Sequence, residues 1–445
     1  MAKLDGNMAG SINQTEDYVP LTEALLPVHT VEGESSILVE GLQGTKNIRR
    51  QMCISFAKFA LLSGATAVAL TAIYLGALWD PYGRLSKQKA LIVNLDEGYY
   101  GGFIMAKIVE KSNVTMSWET NARLQLDEVK SLVAANKYWV ALVIPADYSF
   151  QLTSAAQGLI SYFNTTIKYV YCTGKHFTTS SLQYRVISQM LWTANGEMAQ
   201  RFNDDEDFYD SKKAVSLARY RPFNYEDVNL APVTKYGMYF STYIPLVCLW
   251  IATMASVTLG QFTFRDSPDG KMRLSFTRWT LLRILALSMV SLFNALAVAI
   301  LLRLLGLQMN SGFGPVFWTL FLGTLSFQGL QCVLHGIAGE GMLILSVYFL
   351  IFMLCGSDGI FSTELQPAGF GVGGAMLPFY HAVKMLRYLC FGGENYVARS
   401  VVVLLSYWVG GSGLAAVGWY YDLGRKVLQL VLPQTLVGMR MFTVL

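Results

Sequence analysis

Long apolar runs alternate along this chain with mixed, charged stretches. Phe59 to Trp79 is about twenty uncharged residues, enough at about 1.5 Å of rise each to cross a hydrocarbon core of about 30 Å. Five further apolar stretches, Gly237–Phe264, Ile284–Leu302, about Val316–Leu334, Gly341–Phe361 and Ser400–Tyr421, reach comparable lengths. The pattern predicts an α-helical polytopic membrane protein of about six transmembrane helices.

Between the first and second runs the period changes. Residues 80–236 read as an inserted α/β domain, with strands alternating with amphipathic helices. Ala90 to Asn94 predicts a buried strand ending in the turn Asp96-Glu97-Gly98, followed by a helix through Lys111. Val114 to Trp118 is a second strand, and Arg123 to Asn136 is a helix with Leu124, Leu126, Val129, Leu132 and Val133 largely on one stripe. Trp139 to Ile144 is strongly β-prone and stops at Pro145, which makes it the expected central strand, and Ile160 to Tyr171 is another. Val93, Leu132, Leu142 and Ile144 are the expected core.

Residues 1–50 form a polar tail with Pro20 and Pro27, expected to be disordered. Its Tyr18-Val19-Pro20-Leu21 has the shape of a sorting signal, or is a chance match. Residues 51–79 carry the first transmembrane helix, which begins too late and runs too long for a cleaved signal. The membrane domain spans 237–421 and contains a re-entrant or interfacial segment at 363–396, where the glycine-rich stretch Gly369 to Gly374 precedes the amphipathic run Leu377 to Phe391. Residues 422–445 are a second tail.

Composition agrees with lipid as the solvent. Hydrophobic residues make up 53% of the 445 positions and charged residues only 14%, far from the balance of a soluble chain. The net charge of +4 is spread along the sequence, so nucleic acid is not an expected partner. Lys46, Arg49 and Arg50 before the first run, four basic residues between Arg265 and Arg278, and Arg425-Lys426 after the last run predict that both termini and that connection lie in the cytosol. Residues 80–236 are then extracytoplasmic, in a plasma membrane or endomembrane protein. Arg303, Lys384 and Arg387 fall on the outer side in this arrangement, against the charge rule. Asn113 and Asn164 open glycosylation sequons inside the external domain, whereas Asn13 opens one in the cytosolic tail.

No catalytic set is evident. Gly174-Lys175 and Gly270-Lys271 lack the residues of a phosphate-binding loop, so ATP-driven work requires a partner. Gly410-Gly411-Ser412-Gly413 has the outline of an intramembrane serine protease motif, but all four histidines precede Ser412, and helix packing through Gly411 and Ala415 is the simpler reading. No Cys/His spacing suggests a metal, and no cofactor is expected. Cys172 and Cys390 are expected as free thiols, with pairing the alternative. Asp358, Glu340 and Arg387 are the candidate polar residues at membrane depth, where an ionisable group is functional by default; hydration at a span end is the competing reading, also for Glu364. His335 with Glu340 has the chemistry of a proton relay, or both sit in a wet loop.

Four local patterns occur in a fixed order: Ile73 to Trp79, Leu91 to Gly98, Tyr138 to Pro145, and Leu377-Pro378-Phe379-Tyr380-His381 through Leu386-Arg387. With one span, an inserted domain and five further spans, the chain resembles the fungal nitrosoguanidine-resistance membrane protein family, related to ABC-type-two export permeases and to bacterial phage-infection-protein-like proteins. Leu75 stands where that family tends to place Trp, and the glycine-rich 369–374 stretch departs from its pattern. The resemblance implies export or membrane stress and drug resistance, without naming a substrate.

The expectation is therefore a non-enzymatic, permease-like protein whose partners are the bilayer, an amphipathic or lipid-like compound and further copies of itself. A membrane scaffold or sensor whose external domain binds a ligand is the alternative.

Overall fold

The computed structural model describes residues 34–110, 115–156, 166–204, 223–233, 235–263 and 275–431. The chain divides into two compact units, residues 1–66 and 67–445. Residues 1–66 contribute the first part of helix α1 (Glu34–Ala77). The helix begins at Glu34, inside the polar tail, where no proline interrupts the chain before Ala77 and helix propagates once nucleated.

In residues 67–445 a five-stranded sheet is built from β1 (Lys89–Asn94), β2 (Ser117–Asn121), β3 (Val140–Ile144), β4 (Thr166–Tyr171) and β5 (Asn224–Asn229), in the order β2-β1-β3-β4-β5. β1 pairs in parallel with both β2 and β3, β3 runs antiparallel to β4, and β4 is parallel to β5. All five residues of β3 are buried, because both faces are covered. Val140, Leu142 and Ile144 point into the core shared with α2 (Tyr99–Glu110), α4 (Tyr148–Ala156) and α5 (Phe177–Asp204). Ala141 and Val143 meet Val129 and Val133 of α3 (Leu126–Ala134) on the other face. The expected strand at Val114–Trp118 lies a few residues later, at β2. Of the strand expected at Ile160–Tyr171 only β4 is described. Leu132 is half-buried rather than core. β5 and the length of α5 were not anticipated.

The helical part comprises α6 (Ile244–Thr263), α7 (Phe276–Leu304), α8 (Phe313–Ala338), α9 (Met342–Gly356), α10 (Ala368–Ala375), α11 (Pro378–Phe391) and α12 (Val397–Val431). Four helical segments, Cys53–Ala77, Phe276–Leu304, Phe313–Ala338 and Val397–Tyr421, are long and apolar enough to cross a membrane, which fits a membrane protein; Ile244–Gly260 and Met342–Gly356 are shorter apolar helices. The apolar stretch Gly341–Phe361 is thus not one continuous helix. It ends at Gly356, and Asp358 adopts a left-handed backbone with φ 65° that turns the chain away.

α8 is the centre of the bundle, and small residues allow its closest contact. A Cβ on Gly411 would sit 2.5 Å from the Gly329 carbonyl carbon, so α8 and α12 touch backbone to backbone. Gly374 of α10 likewise packs on the Gly356 backbone, with no room for a Cβ. α11 is buried along most of its surface, including Phe379, Val383, Leu386 and Arg387, and is an interior helix rather than one with an open polar face.

Candidate functional site

The loop after α9 joins the bundle to the sheet domain. Ser362 N–H donates to Thr179 Oγ1 of α5 at 3.1 Å. Gln88 Nε2 donates to Ser362 Oγ at 2.8 Å, and Gln183 Nε2 donates to Gln88 Oε1 at 2.7 Å. Trp139 Nε1, at the entry of β3, donates to Glu364 Oε2 at 2.7 Å. Leu365 inserts into the sheet core beside Leu85 and Phe361.

Asp358 lies at the head of this loop and is 2% exposed. Its Oδ2 accepts from Arg387 Nη1 at 2.6 Å and meets Lys384 Nζ at 2.9 Å, and its Oδ1 accepts the Thr363 N–H at 2.8 Å. Arg387 Nη2 also donates to the Asp358 carbonyl. Lys384 and Arg387 sit three apart on α11, so one helical face presents both cations. Burial alone would raise the Asp358 carboxyl, but the Lys384 ammonium and Arg387 guanidinium outweigh it and hold the group well below the usual carboxylate range.

His176 completes the cluster from the sheet side. Its Nε2 lies 3.5 Å from Asp358 Oδ1, and its Nδ1 lies 3.2 Å from Thr179 Oγ1. Nε2 faces the Asp358 carboxylate, which can only accept, so the ring proton is best placed on Nε2, and Thr179 Oγ1 can then donate to Nδ1 while accepting the Ser362 N–H. Burial, with Arg387 adding to it against the pull of Asp358, lowers the imidazole pKa to about 4. The ring is neutral at pH 7, and its approach to Asp358 is a polar contact rather than an ion pair.

These groups border a cleft of about 170 Å³ whose rim includes Lys175, Glu364, Tyr380, Glu394 and Tyr396. Lys175 Nζ donates to the Val133 carbonyl at 3.0 Å and to Asn136 Oδ1 at 2.7 Å, which caps the carboxyl end of α3. The inner cluster of Asp358, Lys384, Arg387 and neutral His176 keeps one net positive charge, a setting that suits an anionic or polar headgroup. A second cleft, of about 560 Å³, opens at the carboxyl ends of β1 and β2 beside Asn94, Asp96, Thr120 and Asn121. Among the described residues no group of three or more His, Cys, Asp or Glu is placed to hold a metal ion.

Of the three candidate residues from the sequence, Asp358 and Arg387 converge and Glu340 does not. Glu340 lies in the 3-10 turn Gly339–Gly341, at the opposite end of the 15-residue α9 and about 22 Å of helix rise away; its side chain is outside the described residues. The His335–Glu340 relay is therefore separate from the cluster. Asn113, Asn164 and the Tyr18 motif are outside the described residues as well. Cys172 and Cys390 are buried free thiols. His176, Thr179 and Lys384 carried no sequence assignment, although two cations on one face of an apolar helix signal a need for a nearby anion.

No curated protein and no solved structure matches the chain. One family model does, over residues 59–412, from the first apolar helix through the sheet domain and the Asp358 cluster to the glycine contact on α12. With most of its length in that match, the chain belongs to the family described as Protein of unknown function (DUF3533).

Proposed function

We propose that this chain is a permease-like membrane protein of export or of resistance to membrane stress and drugs, which moves an amphipathic or lipid-like compound. In this reading about six helices cross the bilayer, the sheet domain is extracytoplasmic and both termini are cytosolic. The observation that carries the proposal is the meeting of Asp358, Lys384 and Arg387 with His176 in a polar cleft where bundle and sheet domain join. A buried ion cluster is weak support for stability alone, and ionisable groups beside apolar helices are functional by default. The cluster links α11, the end of α9 and α5, so movement of one element disturbs the charge balance of the others. That coupling is what alternating exposure of a bound headgroup requires.

The test is reconstitution of the full chain in proteoliposomes carrying a fluorescent short-chain phospholipid, with leaflet exchange followed by dithionite quenching. Wild type should accelerate exchange over protein-free vesicles, and Asp358→Asn should abolish the gain. Equal rates with and without protein would sink the transport reading. Orientation is tested separately in a eukaryotic host: Asn113→Gln with Asn164→Gln should remove all glycosidase-sensitive mass, whereas a shift abolished by Asn13→Gln would invert the topology.

The second cleft supports a sensor reading. Parallel α/β sheets take ligands at the carboxyl ends of their strands, where Asn94, Asp96, Thr120 and Asn121 lie. A ligand that stabilises the protein through this cleft without any leaflet exchange would favour it.

A further inference from the structure

α7 carries a charge into the bundle far from the Asp358 cluster. Its inward stripe includes Thr280, Arg283, Leu287 and Ser291, and Arg283 is only 6% exposed. The guanidinium sits 5.2 Å from the ring centre of Trp279, one turn earlier, and 4.2 Å from that of Trp419 on α12. The two rings meet nearly at right angles, at 82°, and form two walls around it. Among the described residues Arg283 Nε, Trp419 Nε1 and Thr280 Oγ1 are buried without a hydrogen-bond partner. All three can donate, and among the described residues no carboxylate pairs with Arg283.

Depth narrows the choice of counter-ion. α7 has 29 residues, about 43 Å of rise against a hydrocarbon core of about 30 Å. Centred in the bilayer, the helix places Arg283 about 4 Å inside the hydrocarbon edge, within reach of lipid phosphates for a side chain of this length. An unpaired charge there is unfavourable, and guanidinium matches a phosphate in a two-point fork. Arg278, exposed one turn before, disfavours a headgroup carrying its own cation.

We infer that Arg283, walled by Trp279 and Trp419, holds the phosphate oxyanion of an anionic membrane lipid. The site is independent of the transport reading and stands or falls without it.

Native mass spectrometry of the full chain in detergent, titrated with phosphatidic acid and phosphatidylcholine, tests it. Wild type should bind its first phosphatidic acid about tenfold more tightly than phosphatidylcholine, the gain expected of one charge-assisted fork. Arg283→Gln should bring the two lipids to parity, and Arg283→Lys should keep part of the preference. Trp419→Leu, which leaves every charge in place, should lower the ratio severalfold and serves if Arg283→Gln does not fold. An unchanged ratio in Arg283→Gln or, where that variant is lost, in Trp419→Leu overturns the inference. Displacement of the lipid by millimolar inorganic phosphate would assign the oxyanion to free phosphate and overturn the lipid as its source. Asp422, three residues beyond Trp419, supplies the last arm: a stronger lipid preference in Asp422→Asn would mean that the chain provides its own counter-charge, and would likewise overturn the assignment.

Discussion

Replacing Asp358 with Ala removes a carboxylate that touches both Arg387 and Lys384. The two cations do not lose equally. Lys384 keeps about a fifth of its side chain exposed and can turn to water, whereas Arg387 is 7% exposed as a residue and stays buried. Breaking one side of a buried pair destabilises by about 3–5 kcal/mol, because the remaining charge has lost its partner. The lost acceptor for the Thr363 N–H adds about 1 kcal/mol, which Asp358→Asn should spare. Arg387→Met in the Asp358→Ala background takes away the stranded charge, so the double variant should be more stable than Asp358→Ala alone. Buried free thiols at Cys172, Cys332, Cys355 and Cys390 report the loss of structure to a fluorogenic maleimide once the exposed Cys53 and Cys248 are changed to Ser. At roughly 2 °C per kcal/mol for a chain of this size, Asp358→Ala should melt about 8–12 °C below wild type. A melt within about 1 °C of wild type would refute the cluster as a structural joint. So would a double variant whose loss equals the sum of the two single losses, since that means the residues do not interact.

Three further outcomes follow from the same structure. Leu142→Asp puts a charge in the central strand with both faces covered, and should abolish recovery of monodisperse full-length protein, while Lys137→Glu at the exposed entry to the strand should be tolerated. Gly411→Val drives a side chain into the Gly329 backbone and should lower stability by about 2 kcal/mol or more, whereas Gly410→Val, with open space at its Cβ, should behave as wild type in the thiol assay. His176 has a folded-state pKa lowered from 6.5 to about 4, so the unfolded chain binds the extra proton between those values and stability falls as pH drops from about 6.5 to about 4, by about 3 kcal/mol in all. His176→Gln should flatten that part of the stability–pH profile, and an unchanged slope would count against the buried neutral ring.

Local pattern was enough for the parts in which solvent alone decides. Runs of apolar residues must leave water, so the apolar helices were legible from composition and length, and β3 was legible because a strand covered on both faces reads as an unbroken hydrophobic run from Val140 to Ile144. The small residue at Gly411 was legible as a position where one helix comes close to another, because a Cβ there would strike the partner backbone. Tertiary structure decided the rest. Asp358 could be singled out as a charge in apolar surroundings, but its partners lie 26 and 29 residues later on α11 and 182 residues earlier beside α5, separations that no helical or strand period links. Gly341–Phe361 is uncharged except at Asp358, so hydropathy continued the helix past Gly356, where it ends just before the left-handed turn at Asp358. Glu340 was a candidate beside the more deeply placed Asp358 in sequence, and the direction of α9 sets the two at opposite ends. Hydrophobicity acts residue by residue and leaves its mark in one dimension, whereas a buried ion cluster exists only once the chain has brought distant charges together.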